Sequence, residues 1–215
     1  MILPHVSFQQ NAKMANQFMA RHHFPRGNEL PQDIENLIDR VGCDIGTVKN
    51  LFINFGVKGS ILKRKTCGFA VVIDDDHYEK EEFYYRFTLA EELAHVVLHS
   101  TIFINSVNLE AHSKLIMALD DEEYHSMESQ ARVMASHFLF PHPLFKNFMF
   151  DWVNTHLTEI KAHDCFDKNE LANFIAVSTC RQLLVSRQVV YHTLMRFPDA
   201  VIDAILESFG MSLLM

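Results

Sequence analysis

An α+β fold is predicted by three features of this sequence. A glycine-punctuated, β-rich stretch covers residues 43–75, amphipathic helical periodicity flanks it on both sides, and no internal repeat or low-complexity tract interrupts the chain. In the first segment, FQQNAKMANQFMARHHF, the residues Phe8, Ala12, Ala15, Phe18 and Met19 recur at helical spacing, and PRGNELP breaks the pattern. PQDIENLIDRVG sets Ile34, Leu37 and Ile38 on one helix face, with Gly42 as a C-terminal stop. CDIGTVKNLFINF, GSILKRK and CGFAVVIDDD then read as β-rich pieces separated by Gly56, Gly59 and Gly68, with FAVVI as a buried strand. The acidic run from Asp74 to Glu82 reads as a solvated loop. A helix over 86–99 follows, then a less regular region over 100–120. The next helix starts near Glu122, with Met127, Ala131, Met134 and Phe138 in period until FPHP ends it. PLFKNFMFDWVNTHL reads as an aromatic-rich helix packed in a core. Residues 168–197 read as two short helices joined by a turn near Val177–Thr179, and PDAVIDAILESF as a last amphipathic helix.

The 215 residues suit one domain with a sizeable core, or one domain plus a small appendage, and 48% hydrophobic with 21% charged residues is an ordinary globular balance. Eighteen Phe and ten Met imply a bulky, adaptable core. A formal net charge of −8 disfavours broad binding to nucleic acid or anionic membrane, because nothing offsets phosphate repulsion. Cys43, Cys67, Cys165 and Cys180 form no C-x-x-C pair, which points to reduced thiols in a cytoplasmic protein. The start of the chain lacks a cationic region followed by an apolar run. No apolar stretch approaches the roughly 20 residues that span a bilayer.

The stretch RFTLAEELAHVVLH, Arg86 to His99, carries the chemistry. It is one letter from a helix holding H-E-x-x-H, in which two imidazoles a turn apart hold a metal and the intervening Glu is the general base. Here Glu91 stands where the first His belongs, followed by Glu92 and, three residues later, His95. Each helical residue advances about 100°, so Glu91 and His95 lie only about 40° apart and can share one ion. Glu92 projects about 100° away, where a base acting on the attacking water belongs. A third protein ligand is needed, and Glu128 is the natural candidate. It shares a face of the next helix with Ala131 and Ala135, small residues that permit close approach to the motif helix. The bland alternative is a solvated Glu-Glu pair beside a semi-buried histidine.

RFTLAEELAHVVLH followed by MESQARVMASHFLFP resembles the ImmA/IrrE family of metallo-endopeptidases. Arg86, Phe87, Thr88, Leu89 and Ala90 match the family's lead, Leu98 and His99 its Leu-Leu-His end, and Phe138 to Pro141 its Leu-Leu-Met-Pro-like stop. In that register Glu128 falls at the third ligand and Gln130 at a commonly acidic or Gln position. The resemblance implies a zincin-like domain over 1–145, its small curved sheet packed on the motif helix. Residues 146–215 are then a C-terminal helical extension able to dock a partner. It implies a metal centre of Glu91, His95 and Glu128, with Glu92 catalytic. The substrate would be a protein such as a helix-turn-helix repressor or antitoxin, cleaved to relieve repression.

Glu91 departs from the family pattern. Carboxylates bind Zn²⁺, but an added negative charge makes a poorer Lewis acid and favours harder ions such as Mn²⁺. Two arrangements compete with this centre. His95 and His99 are also spaced i, i+4, although the resemblance places His99 behind the ligands. Alternatively no metal is held, and Glu91, Glu92 and Glu128 crowd together; their repulsion then demands a raised pKa or a cationic partner, for which Arg86 and Arg132 stand nearby in sequence. In that case the protein is a pseudo-peptidase that binds a partner without cutting it. His22, His23, His77, His112, His125, His137, His142, His156, His163 and His192 show no ligand spacing, which suggests surface or capping roles. Segment 168–197 carries few charges, favouring packing or partner docking over DNA binding.

Overall fold

A computed structural model describes residues 6–25, 27, 29–66, 68–80, 82–162, 167–196 and 201–208. The chain divides into two compact units, Met1–Arg26 with Gln32–Leu139, and Gly27–Pro31 with Phe140–Met215.

The first unit is the α+β body predicted from the sequence. Helix α1 (Phe8–Arg21) begins at a capping box in which Ser7 and Gln10 satisfy each other's backbone donors. Helix α2 (Ile34–Val41) starts at Asp33, which accepts from the Asn36 N–H, and ends at Gly42. There φ is +74°, a left-handed conformation that suits glycine. Strands β1 (Asp44–Val48), β2 (Gly59–Lys63) and β3 (Phe69–Asp74) form a three-stranded sheet in the order β1-β3-β2. β3 is central, parallel to β1 and antiparallel to β2. That position explains its uninterrupted apolar sequence: Val71 and Ile73 are fully buried, as is Ile61 on β2.

Helix α5 (Glu82–His99) packs against the sheet on one side and helix α7 (Asp121–Leu139) on another. Ala90 and Ala94 on α5, and Ala131 and Ala135 on α7, have no exposed surface, so two small-residue faces lie within this core. Leu89, Leu93, Met127, Met134 and Phe138 are equally buried there. Helix α1 is tied to α7 by a buried hydrogen bond from Asn11 Nδ2 to the Gln130 carbonyl, 2.8 Å.

Three segments differ from the sequence expectation. LFINF is a single helical turn, α3 (Leu51–Phe55), framed by left-handed Asn50 and Gly56. The acidic run is not a loop: α4 (Asp75–Lys80) starts where the buried Asp74 carboxylate accepts from the N–H groups of Asp76 and His77. Region 100–120 holds a 3₁₀ turn (Phe103–Asn105) and α6 (Leu109–Met117), capped by Asn108.

The second unit contains α8 (His142–Thr155), α9 (Leu157–Ala162), α10 (Lys168–Thr179), α11 (Arg187–Arg196) and α12 (Val201–Ser208). Its core is Phe145, Met149, Val153, Leu171, Ile175, Leu194 and Ile205. Trp152 and Phe174 meet at 6.4 Å between ring centres, in line with the core-packing reading of the aromatics. The break between α10 and α11 lies after Thr179 rather than across 177–179. The Thr179 hydroxyl donates back to the Ile175 carbonyl, and the helix runs through that residue. Among the described residues no helix is long and apolar enough to cross a membrane. Cys43 and Cys180 are free thiols, whereas Cys67 and Cys165 lie outside the described residues, as does His163.

Candidate metal centre

The four residues singled out in the sequence, Glu91, Glu92, His95 and Glu128, line one cavity of about 220 Å³ in the first unit. Glu91, Glu92 and His95 come from α5 and Glu128 from α7. Gly59 at the start of β2 and Thr88, Phe103, His112 and Tyr124 complete much of the wall.

His95 Nε2 lies 3.4 Å from Glu128 Oε1. The other His95 nitrogen, Nδ1, is 3.1 Å from Nδ1 of His99, and His99 Nε2 is 3.4 Å from Gln130 Oε1. These contacts orient the protons. The Gln130 oxygen only accepts, so His99 carries its proton on Nε2 and accepts at Nδ1 from His95 Nδ1–H. Burial, then the neighbouring His95, push the His99 pKa down to about 4, which keeps this ring neutral. His95 Nε2 is thereby the nitrogen turned to Glu128. An imidazole nitrogen and a carboxylate oxygen, two groups of the metal-ligating kind, thus face each other.

Glu92 is buried, and its inner wall is backbone. A methyl group built on Gly59 would stand 2.6 Å from Glu92 Oε1 and 2.9 Å from Glu92 Cγ. Burial, followed by the charges of Glu91 and Glu128, raises the Glu92 pKa well above the usual carboxylate range. Glu91 is raised for similar reasons, by burial and then by Glu128, with Arg132 and His95 opposing. Glu128 goes the other way. Burial alone would raise it, but the hydrogen bond and charge of His95, with Arg132, outweigh that and leave it lowered.

Arg132 supplies the cationic partner demanded by a carboxylate cluster. Its Nε donates to Glu91 Oε1 at 2.9 Å and its Nη2 reaches Glu128 Oε2 at 3.4 Å. Arg86 points elsewhere, with its Nη2 donating to the Gln32 carbonyl.

Two ligands of a tetrahedral ion with bonds of about 2.0–2.1 Å lie about 3.3–3.4 Å apart. His95 Nε2 and Glu128 Oε1 have that separation, so this pair fits a metal as placed. Glu91 is of the right chemical kind and beside the pair, but its carboxylate is turned to Arg132. Among the described residues no three His, Cys, Asp or Glu side chains converge on one point. With Glu91 Oε1 held by Arg132, a third ligand is not in place beside the pair.

A protein-family model described as the IrrE N-terminal-like domain, peptidase family M78, matches residues 54–194. The chain belongs to the IrrE N-terminal-like family. All four singled-out residues fall inside the matched segment, and the α+β architecture with its small sheet is that of an M78 zincin-like domain. The family is one of metallopeptidases, and the resemblance noted in RFTLAEELAHVVLH and MESQARVMASHFLFP leads to the same place. No curated protein and no solved structure matches the chain.

Several histidines depart from the surface or capping roles expected of them. His77 is buried and 3.1 Å from the Thr88 hydroxyl, and His137 is buried with its ring 5.4 Å from that of Phe8. His112 is buried on the cavity wall, stacked on Phe103 at 5.1 Å, and its Nδ1 has no hydrogen-bond partner. Burial, then His95, lower its pKa to about 4. His22 and His156 do cap, ending α1 and α8. Neither Gly59 nor His112 announces itself in the sequence. The approach of Glu92 and Thr88 to Gly59 arises only when α5 packs on β2, and His112 has no ligand spacing to the motif.

Proposed function

We propose that this protein is a metal-dependent endopeptidase whose ion is held by His95, Glu128 and Glu91, with Glu92 as the general base. The observation that carries this reading is the His95–Glu128 pair, set 3.4 Å apart in a cavity that also contains the buried Glu92. When bound, a divalent ion there supplies a water nucleophile at neutral pH and polarises the scissile carbonyl. Glu92 takes the proton of the attacking water and passes it to the leaving nitrogen. His99 and Gln130 hold His95 in the tautomer that presents Nε2. Zinc is the family's typical ion, and the two carboxylates of this set also admit Mn²⁺. The substrate is a protein partner such as a helix-turn-helix repressor or antitoxin, cut in the cytoplasm to relieve repression. Residues 146–215 serve as the docking extension.

A second reading is favoured by the Arg132 bridge: a pseudo-peptidase that holds its partner without metal and without cutting it. Metal analysis of protein purified without chelators separates the two. The first reading expects close to one transition-metal ion per chain, released by His95→Ala and by Glu128→Ala, because each removes one of three ligands. Metal-free protein whose melting is unmoved by Zn²⁺ or Mn²⁺ would end it.

A further inference from the structure

We propose that Arg132 is a resident cation of this centre, occupying the place between Glu91 and Glu128 that the metal needs, so that the ion and the guanidinium exclude each other. The proposal rests on the metal-dependent reading above and adds a residue that governs occupancy of the site.

The geometry is a chain of three contacts through His95, Glu128, Arg132 and Glu91. Glu128 turns one oxygen to His95 Nε2 at 3.4 Å and the other to Arg132 Nη2 at 3.4 Å, while Arg132 Nε holds Glu91 at 2.9 Å. The guanidinium thus binds the two carboxylates that would otherwise flank His95 around an ion. Arginine cannot give up its charge in a protein, so it must move bodily to admit a second cation.

Exposure is unequally distributed along this chain of contacts. The Arg132 side chain is 61% exposed, against 16% for Glu91 and 18% for Glu128. The arginine head has solvent to turn into, whereas the carboxylates are largely covered between α5 and α7. Its ion pairs are those of an exposed partner, which are weak, so a metal ion can displace it. The same charge explains how the site exists without metal. Glu91, Glu92 and Glu128 share one cavity, and Arg132 offsets the charge of the two it touches, Glu91 and Glu128.

Residue 91 is what recruits this device. A carboxylate there gives Arg132 its shortest contact, and a neutral imidazole would not. Glu91 and Arg132 therefore act as a unit: the residue that departs from H-E-x-x-H brings a cation of the protein's own into the centre.

The test is titration of full-length, chelator-stripped protein with Zn²⁺ alone and with Mn²⁺ alone. It compares wild type, Arg132→Gln, Glu91→His and the double variant by calorimetry and melting temperature. Competition of this kind expects Arg132→Gln to tighten metal binding by about fivefold or more. It also expects the same variant to melt below wild type in chelator, where the carboxylates have lost their cation, and the order to reverse with metal. Glu91→His should tighten Zn²⁺ binding, and adding Arg132→Gln to it should gain less than about twofold, since the arginine's main anchor is already gone. Measurable binding that is equal in wild type and Arg132→Gln, or weaker in the variant, overturns the role of Arg132 and leaves the metal reading standing. So does a gain in the double variant equal to the product of the single gains. Absence of binding in all four proteins overturns both.

Discussion

Glu92→Gln should lose cleavage by about 10²–10⁴-fold while keeping fold, metal and partner binding. The carboxylate is no ligand in the proposed centre, and the amide has nearly the same shape. The close fit of the side chain beside Gly59 is therefore preserved while the base is removed. In cells, partner length followed by immunoblot and release of repression together read the outcome. Full release with the partner intact would exclude proteolysis and leave binding as the function. A stability effect of opposite sign accompanies the loss. The Glu92 pKa is raised in the folded protein, so between the unfolded and folded values the native state keeps a proton that the unfolded chain has released. Its contribution to stability is fully present below the unfolded pKa and declines as pH rises through the folded one. Glutamine has nothing to ionise. In chelator the variant should thus melt above wild type, with a margin that widens as pH rises above the ordinary carboxylate range. A margin that is flat with pH would mean that Glu92 ionises as freely as an exposed carboxylate.

Gly59→Ala should have the next largest effect, through position alone. The new methyl would fall 2.6 Å from Glu92 Oε1, 2.7 Å from Thr88 Cγ2 and 2.9 Å from Glu92 Cγ, all tighter than real contacts allow. Because β2 is fixed by its pairing with β3, the side chains must yield. Overpacking of this kind costs about 1–3 kcal/mol, and Glu92 leaves the spot from which it can serve the cavity. Cleavage should fall towards that of Glu92→Gln, while metal content holds because the methyl meets neither His95 nor Glu128. Gly46→Ala on β1 is the matched control, since a methyl there meets nothing within 4 Å. Equal activity in the two alanine variants would show that Glu92 is not seated by β2.

Where one helix face repeats over three turns or more, periodicity in the sequence was enough, as in α1 and α7. α3 escaped it because five residues are too few to show a period, and Leu-Phe-Ile-Asn-Phe has the composition of a strand. α4 escaped it for a different reason. An acidic run resembles a solvated loop until one carboxylate, Asp74, is buried and accepts the N–H groups of Phe52, Asp76 and His77. That burial depends on residues some 22 positions away and has no local signature. The site divides along the same line. Glu91, Glu92 and His95 follow from helical geometry, and the need for a cation beside clustered carboxylates follows from Coulomb repulsion. The sequence offered Arg86 and Arg132 as partners, and only the packing of α5 on α7 distinguishes them. Gly59 and His112 reach the cavity through the sheet and through α6, which no spacing within the motif encodes.

The small-residue faces of α5 and α7 have one more consequence. The candidate ligands and base project from the same two helices whose buried alanines and leucines make the core of the first unit. Such a centre has no hinge of its own and cannot fray while its surroundings stay folded. Amide protons in the central turns of α5 and α7 should then exchange only through global opening of that unit. Heat inactivation should follow its unfolding curve rather than precede it, so residual activity would serve as a direct gauge of how much of the unit remains native.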